Sequence, residues 1–415
     1  MSFYTSLTGL NAAAAELAVV SNNIANSTTT SFKRSETTFG DIFALSTTSN
    51  PSTAKGSGVR VIGIDQQFSQ GSFELTENSL DIAISGDGFF PMAASDGRPV
   101  YTRNGSFLLN KDDQVVNSSG LIVQVFPLKA DGTSDFNRDL QNLTVNRSVP
   151  AQATTTIGLD IKLPEAAAVI GANGGTAIDP ADKTTYNQSQ VISLYDDAGE
   201  SYTATVYYQK IGNDVVNGAV TEDQWRASVY VGDPAVLSNN VAFSFDQNGA
   251  IIAPIADQVI AASAVDGRAQ DITLTLSALT HTKIFEVTAQ TTNGAAKGEL
   301  TNINIEEGGA VVATYSNGAQ VASGRINLAK FTSPAGLSQE GNTVYSATAG
   351  SGTLAFGEPG SSGVGKLASG AKERSNVDVT AELVDLIAAQ RNFQSNAKAL
   401  ETSGSLASTL INMRG

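Results

Sequence analysis

The sequence predicts a mainly β protein with long terminal α-helices, its nested β-domains inserted between an N-terminal and a C-terminal heptad helix. Three observations predict it. Apolar residues at both ends recur at alternating spacings of three and four. The middle alternates with period two between Gly, Asn and Asp turns, and the composition breaks at Ser148-Val149-Pro150, where a second β segment begins.

At the start, Leu7, Leu10, Ala14, Leu17, Ser21 and Ile24 form an a/d stripe in which only Ser21 is polar. Between them Ala12, Ala13, Ala15 and Ala18 favour helix with little bulk, so a second helix can approach closely. Before Lys33 the only charged side chain is Glu16. A solvated helix carries charges on its outer face, so this one is expected to be covered on more than one side. The run closes in Asn22-Asn23-Ile24-Ala25-Asn26-Ser27 and three threonines, which favour caps and extended chain.

At the other end Val379, Leu383, Leu386, Gln390, Phe393, Ala397, Leu400, Gly404, Ala407 and Ile411 repeat the spacing. Asp378 or Thr380 can cap this helix, and Glu382 and Asp385 suit its positive end. The pattern predicts roughly 35 residues, ~50 Å at 1.5 Å per residue. Two arrangements are open: an antiparallel or coaxial pair with everything else inserted between its members, or a helical hairpin inside one ordinary domain.

From about residue 56 to 370 the period is two. Val59, Val61, Ile64 and Phe68, then Leu80 to Ile84, Val115-Val116 and Leu121 to Val123 read as short strands. Asp87-Gly88, Asp96-Gly97 and Asn104-Gly105 supply the tight turns of a compact antiparallel domain. Past the break, Val191 to Tyr195 and Tyr202 to Tyr208 flank a turn at Asp196-Asp197-Ala198-Gly199-Glu200. Further strands at 226–231, 241–245 and 272–276 suggest a separate sandwich or barrel. The expected division is 1–32 and 371–415 for the terminal helices, 33–70 for an extended connection, 71–149 and 296–370 for an inner β-domain, and 150–295 for an inserted outer β-domain.

Composition narrows the chemistry. Of 415 residues, 41% are apolar, which suits real cores, and 16% are charged, with a net charge of −15. An acidic chain without a basic block argues against nucleic acid and anionic membrane as partners. No run of 18 apolar residues suggests membrane insertion. The start has neither the basic leader nor the apolar stretch of a cleaved signal peptide. Cysteine is absent, which excludes disulfides, thiolate metal sites and thiol catalysis. His281, the single histidine, has no second histidine to share a metal and reads as a surface or strand residue. Gly86-Asp87-Gly88-Phe89 lacks the third glycine and following helix of a phosphate loop. Asn110 to Asp113 and Asp196-Asp197 lack calcium-loop spacing, and Trp225 with Tyr202, Tyr207 and Tyr208 reads as core and strand pairing. No acid, base and nucleophile converge, so the expectation is a non-enzyme with no catalytic, cofactor or metal residues.

Ser6-Leu7-Thr8-Gly9-Leu10-Asn11-Ala12, Ser21-Asn22-Asn23-Ile24-Ala25-Asn26 and Ser31-Phe32-Lys33 resemble the amino-terminal signature of the bacterial flagellar rod and hook proteins. Ser375-Asn376-Val377-Asp378, Glu382-Leu383-Val384, the Ala389 to Ala397 run and Thr409 to Arg414 resemble its carboxy-terminal signature. Leu80 to Phe90 and Tyr101 to Phe107 resemble the family's first β-domain. One departure stands out: Ser31 occupies a position where the family usually has glycine.

The resemblance implies a subunit that polymerises into a helical tube, both terminal helices lining its inner layer. Leu7, Leu10, Ala14, Leu17, Ile24, Leu383, Leu386, Phe393, Ala397, Leu400 and Ile411 would be the polymerisation positions, and Asn22, Asn23, Ile24, Ala25, Asn26, Gln390, Arg391 and Asn396 the shared motif. The 150–295 insertion resembles the extra outer domain of the hook branch. That implies the curved hook, a flexible universal joint passing motor torque to the filament, rather than a distal rod protein; a secreted β-rich adhesin would leave the paired heptads unexplained. Implied partners are further copies of the chain, the rod, hook cap and hook-filament junction proteins and the flagellar export apparatus, with an extracellular place reached without a cleaved signal.

Overall fold

The computed structural model describes residues 2–43, 56–129, 131–171, 176–216, 219–232, 236–246, 251–253, 258–260, 271–361 and 363–412. The chain divides into two compact units. One comprises Met1–Val145, Asn302–Ala313 and Val321–Gly415, the other Asn146–Thr301 and Thr314–Gln320.

In the first unit, α1 spans Ser2–Ala25 and α2 spans Val379–Asn412. The Asp378 carboxylate accepts from the Thr380 and Ala381 amides at 2.8 and 3.2 Å, so Asp378 is the cap that starts α2. Asn26 closes α1, its amide donating to the Asn22 carbonyl at 3.1 Å. The segment expected as an extended connection is a β-hairpin: β1 (Ser35–Asp41) pairs antiparallel with β2 (Val59–Gln66), with a bulge between Thr38 and Phe39.

The body of this unit is short-stranded. It contains β3 (Phe73–Leu75), β4 (Ile82–Ser85), β5 (Phe90–Ala93), β6 (Pro99–Thr102), β7 (Phe107–Leu109), β8 (Val115–Asn117) and β9 (Ile122–Val125). The main sheet runs Ser338–Gly341, Val344–Ser346, β6, β5, β9, β8, β7. Strands from far along the chain form two-stranded sheets beside it: Lys366–Ser369 pairs β4, and Ala371–Glu373 pairs β3. The chain thus returns to its own beginning immediately before α2. Phe68, Phe89, Tyr101, Phe331 and Tyr345 pack edge to face at 4.8–5.9 Å between centroids, joining both halves in one core.

The second unit is a sandwich. Gln188–Tyr195, Ser201–Val216, Ala219–Val231, Val236–Asp246 and Ile251–Ala253 form a meander in chain order. The other sheet runs Gln258–Ile260, Ile272–Thr282, Thr156–Pro164, Glu286–Thr292, its middle pair parallel. Alternate residues of Thr156–Pro164 point inward, and Ile157, Leu159, Ile161 and Leu163 share one core with Trp225, Tyr208, Phe243 and Phe245. Trp225 and Tyr208 are therefore core residues, whereas Tyr207 packs with Tyr186 and Tyr230 in a separate aromatic cluster.

Candidate functional site

The two terminal helices pack against each other within one chain, antiparallel. Gly9 faces Asn396 near one end, and Asn23 donates to Glu382 at 3.1 Å near the other. The buried positions of α1 are Ala12, Ala13, Val20 and Asn23, and those of α2 are Glu382 and Ala389. Small residues set the approach: a Cβ placed on Gly9 would lie 2.6 Å from Asn396 Oδ1.

This seam is not the Leu/Ile stripe that the spacing singles out. Leu7, Leu10, Leu17 and Ile24 are only half-buried and Ala14 is exposed; on α2, Leu386, Ala397 and Leu400 are half-buried. Leu383 and Phe393 are 46% and 37% exposed. Ile411 lies on α2 with its side chain outside the described residues, as do Met413 and Arg414 altogether. The intrachain contact takes the alanine and glycine face because backbones approach closest there. The bulky apolar residues are left partly outside. Others that the spacing passes over are barer still: Val384 is 63% exposed, Ile387 50% and Tyr4 59%.

Beside the helices is a cavity of about 440 Å³ between α1, α2 and the β1–β2 hairpin, lined by Gly9, Ala12, Ala13, Glu16, Phe39 and Asn392 among others. Glu16 is pushed above the ordinary carboxylate range, first by burial and then by the Asp385 carboxylate.

The motif residues hold the base of the pair. Asn23 donates to the Ser35 carbonyl at 2.8 Å and accepts from the Ser35 amide at 2.9 Å. The same Asn23 amide reaches Glu382, whose other oxygen accepts from Arg34 Nε. Arg34 Nη2 lies 3.5 Å from Asp385, and the Arg34 amide donates to Asn376 Oδ1 at 2.7 Å. Asn26 Nδ2 donates to Asn22 Oδ1 at 2.7 Å. Ala25, Gln390 and Arg391 are exposed, and Asn396 is half-buried against α1.

Next to this clamp is a buried ion cluster that no local pattern announces. Lys33 Nζ lies 2.7 Å from Glu373 Oε1 and donates to the Ser69 carbonyl at 2.7 Å. Arg103 Nε lies 3.1 Å from Glu373 Oε2 and its other nitrogens donate to the carbonyls of Gly86 and Gly88 at 3.0 Å. The Gly86–Gly88 loop therefore turns carbonyls toward a cation, the opposite of a phosphate cradle. Burial, reinforced by Arg103, pulls Lys33 below the ordinary lysine value against the opposing Glu373 charge. Ser31 adopts φ 57°, its amide donating to the Glu373 carbonyl at 2.8 Å. Its left-handed backbone explains why glycine would also suit this position.

The remaining candidate chemistry resolves into turns. Asp196 Oδ1 accepts from the Ala198 and Glu200 amides, and Asn110 Oδ1 from those of Asp112 and Gln114. His281 lies on Ile272–Thr282, its side chain outside the described residues. Among the described residues no group of three or more His, Asp or Glu is placed to hold a metal. No helix there is long and apolar enough to cross a membrane.

Comparison with known proteins agrees with the architecture. Residues 3–33 match the family model "Flagella basal body rod protein", 83–174 match "Flagellar hook protein FlgE/F/G D1 domain", and 368–413 match "Flagellar basal body rod FlgEFG protein C-terminal". The chain is 35% identical to the flagellar hook protein FlgE of Escherichia coli (strain K12), covering 100% of both chains. It is 36% identical to that of Salmonella typhimurium (strain LT2), again covering 100% of both. The crystal structure of Helicobacter pylori flagellar hook protein FlgE2 shares the fold at a TM-score of 0.51 and 14% identity, over 71% of this chain and 98% of that one. With full-length identity above 30% and helices capping both ends of a mainly β chain, this protein belongs to the flagellar hook protein FlgE family and is a structural subunit of the hook.

Proposed function

We propose that this subunit builds a curved, flexible tube that passes torque from motor and rod to filament, and that the outer apolar faces of α1 and α2 are its polymerisation surface. The observation that carries this is the exposure of Leu383, Val384, Ile387 and Phe393 on a helix whose small-residue face is already occupied. A row of apolar side chains left in water beside a completed helix pair marks a protein interface. Copies of the same chain are the partner that the family supplies.

In this reading residues 150–295 form the outer layer and modulate packing, while the helices create the lattice. The chain acts by assembly and not by catalysis. Rod, hook cap and hook-filament junction proteins meet it at the ends of the tube, and the export apparatus delivers it. Electron microscopy of the concentrated, purified protein tests the reading: tubes support it, and a protein that stays monomeric at every concentration contradicts it.

A further inference from the structure

The cavity beside α1 and an unpaired cation on α2 are complementary. Glu16 lines the cavity, is the only charged residue of α1, and has no cation partner among the described residues. The charge that acts on it is the like-charged Asp385, which already faces Arg34. The surrounding wall is mostly apolar, from Gly9, Ala12, Ala13, Phe39 and Val59, with Asn392 and Asn396 on its α2 side. Such a groove suits a long side chain with an aliphatic stem and a cationic head.

Two basic residues of α2 lie among the described residues. Lys398 is engaged by Glu401 at 2.7 Å; Arg391 is exposed and makes no ion pair there. Arg391 also has the right company. Val384 and Ile387, among the barest aliphatic side chains of the helix, precede it at spacings of three and four, so all three share one face of α2. Over Val384 and Ile387 that face is apolar, with a cation at one end; the groove is mostly apolar, with an anion.

Level matters as well. Gly9 opposite Asn396 and Asn23 opposite Glu382 fix the antiparallel register, which puts Glu16 level with Ala389, less than one turn from Arg391. Copies standing side by side with little axial shift therefore bring the two together. We propose that the groove of one subunit receives the Val384, Ile387 and Arg391 face of a second copy, with the Arg391 guanidinium paired to Glu16. The inference rests on the self-assembly reading and specifies which surfaces meet.

The test is a charge exchange in the full chain, read as the critical concentration for assembly by sedimentation. Glu16→Arg and Arg391→Glu each place like charges together and raise it about tenfold or more; the double variant returns it to within about threefold of wild type. Because the chain has no cysteine, Glu16→Cys with Arg391→Cys adds an independent readout. Oxidation of the assembled protein yields a ladder of disulfide-linked multimers, since the bond forms only where the backbones come within about 7 Å. Leu383→Asp separates the two claims. If it abolishes assembly while neither charge reversal alters it, or the double variant is no better than the singles, this pairing is wrong and self-assembly stands. If wild type never assembles, both fall.

Discussion

The Lys33 ammonium lies 2.7 Å from the Glu373 carboxylate with both side chains fully buried, although 340 residues separate them. Lys33 follows α1, and Glu373 ends the strand before α2. Arg103 closes the cluster from the body. The two helices thus leave the body from a fixed point.

Glu373→Gln leaves two buried cations facing one neutral amide. Breaking a buried pair costs about 3–5 kcal/mol, and the Gly71 amide that Glu373 accepts at 3.0 Å keeps a weaker partner. Chemical denaturation of the monomer should show a loss of that order. A loss under about 1 kcal/mol, the range of a surface pair, would contradict the buried ion cluster.

Ser31 gives a second, finer test at the same junction. At φ 57° a β-branched residue is strained, whereas glycine is not. Ser31→Val should lower the melting temperature clearly. Ser31→Gly should stay within about 1 kcal/mol of wild type, the relief of strain offsetting the lost bond from Ser31 Oγ to the Arg103 carbonyl at 3.1 Å. Equal effects of the two substitutions would contradict the backbone explanation.

Much of this was legible in the sequence, and the exceptions have a common cause. Local pattern located both helices, Asp378 as one of two candidate caps, and the hairpin around Asp196, because these are local features. The Leu7 and Leu10 stripe stands out because bulk is what periodicity weighs, and its expected use is contact with other copies. The seam instead runs through Gly9, Ala12 and Ala13, whose lack of bulk is their contribution. The alanines were visible as a route for close approach, but a pattern of what is missing does not say which face is used. The cluster of Lys33, Arg103 and Glu373 joins three segments remote in sequence, so no window contains it. Arg103 and Lys33 did fall inside the quoted motifs, where their burial could not be read.

Glu16 supplies a pH signature of the monomer. Its pKa is raised on folding, so it contributes stability that is fully present below the unfolded value near 4.5 and is lost as pH rises through the higher folded value. At neutral pH the charged form is therefore the strained one. Glu16→Gln should raise monomer stability slightly at pH 7, by less than about 1 kcal/mol because the group is largely solvent-screened. The gain should disappear by about pH 4. A variant less stable than wild type at pH 7 would overturn this.

The close approach of the helices predicts a steep size dependence at Gly9. Gly9→Ala meets the movable end of the Asn396 side chain, so a small shift accommodates it. Gly9→Leu must separate the helices. Hydrogen exchange of α1 amides should rise strongly for Gly9→Leu and little for Gly9→Ala, and equal protection in both would contradict the seam.

The central claim is that the bulky apolar face of α2 serves other copies while the small face serves its own chain. Leu10 and Leu386 are half-buried within the monomer, so charges there would disturb both. Leu383, 46% exposed, separates them. The decisive measurement is the assembly yield of Leu383→Asp by sedimentation and electron microscopy, set against its monomer melting curve. A carboxylate forced into a dry interface costs several kcal/mol at every lattice contact. The account predicts loss of tubes with the melting temperature unchanged, whereas intact tubes, or a melting temperature that falls with the yield, would contradict it.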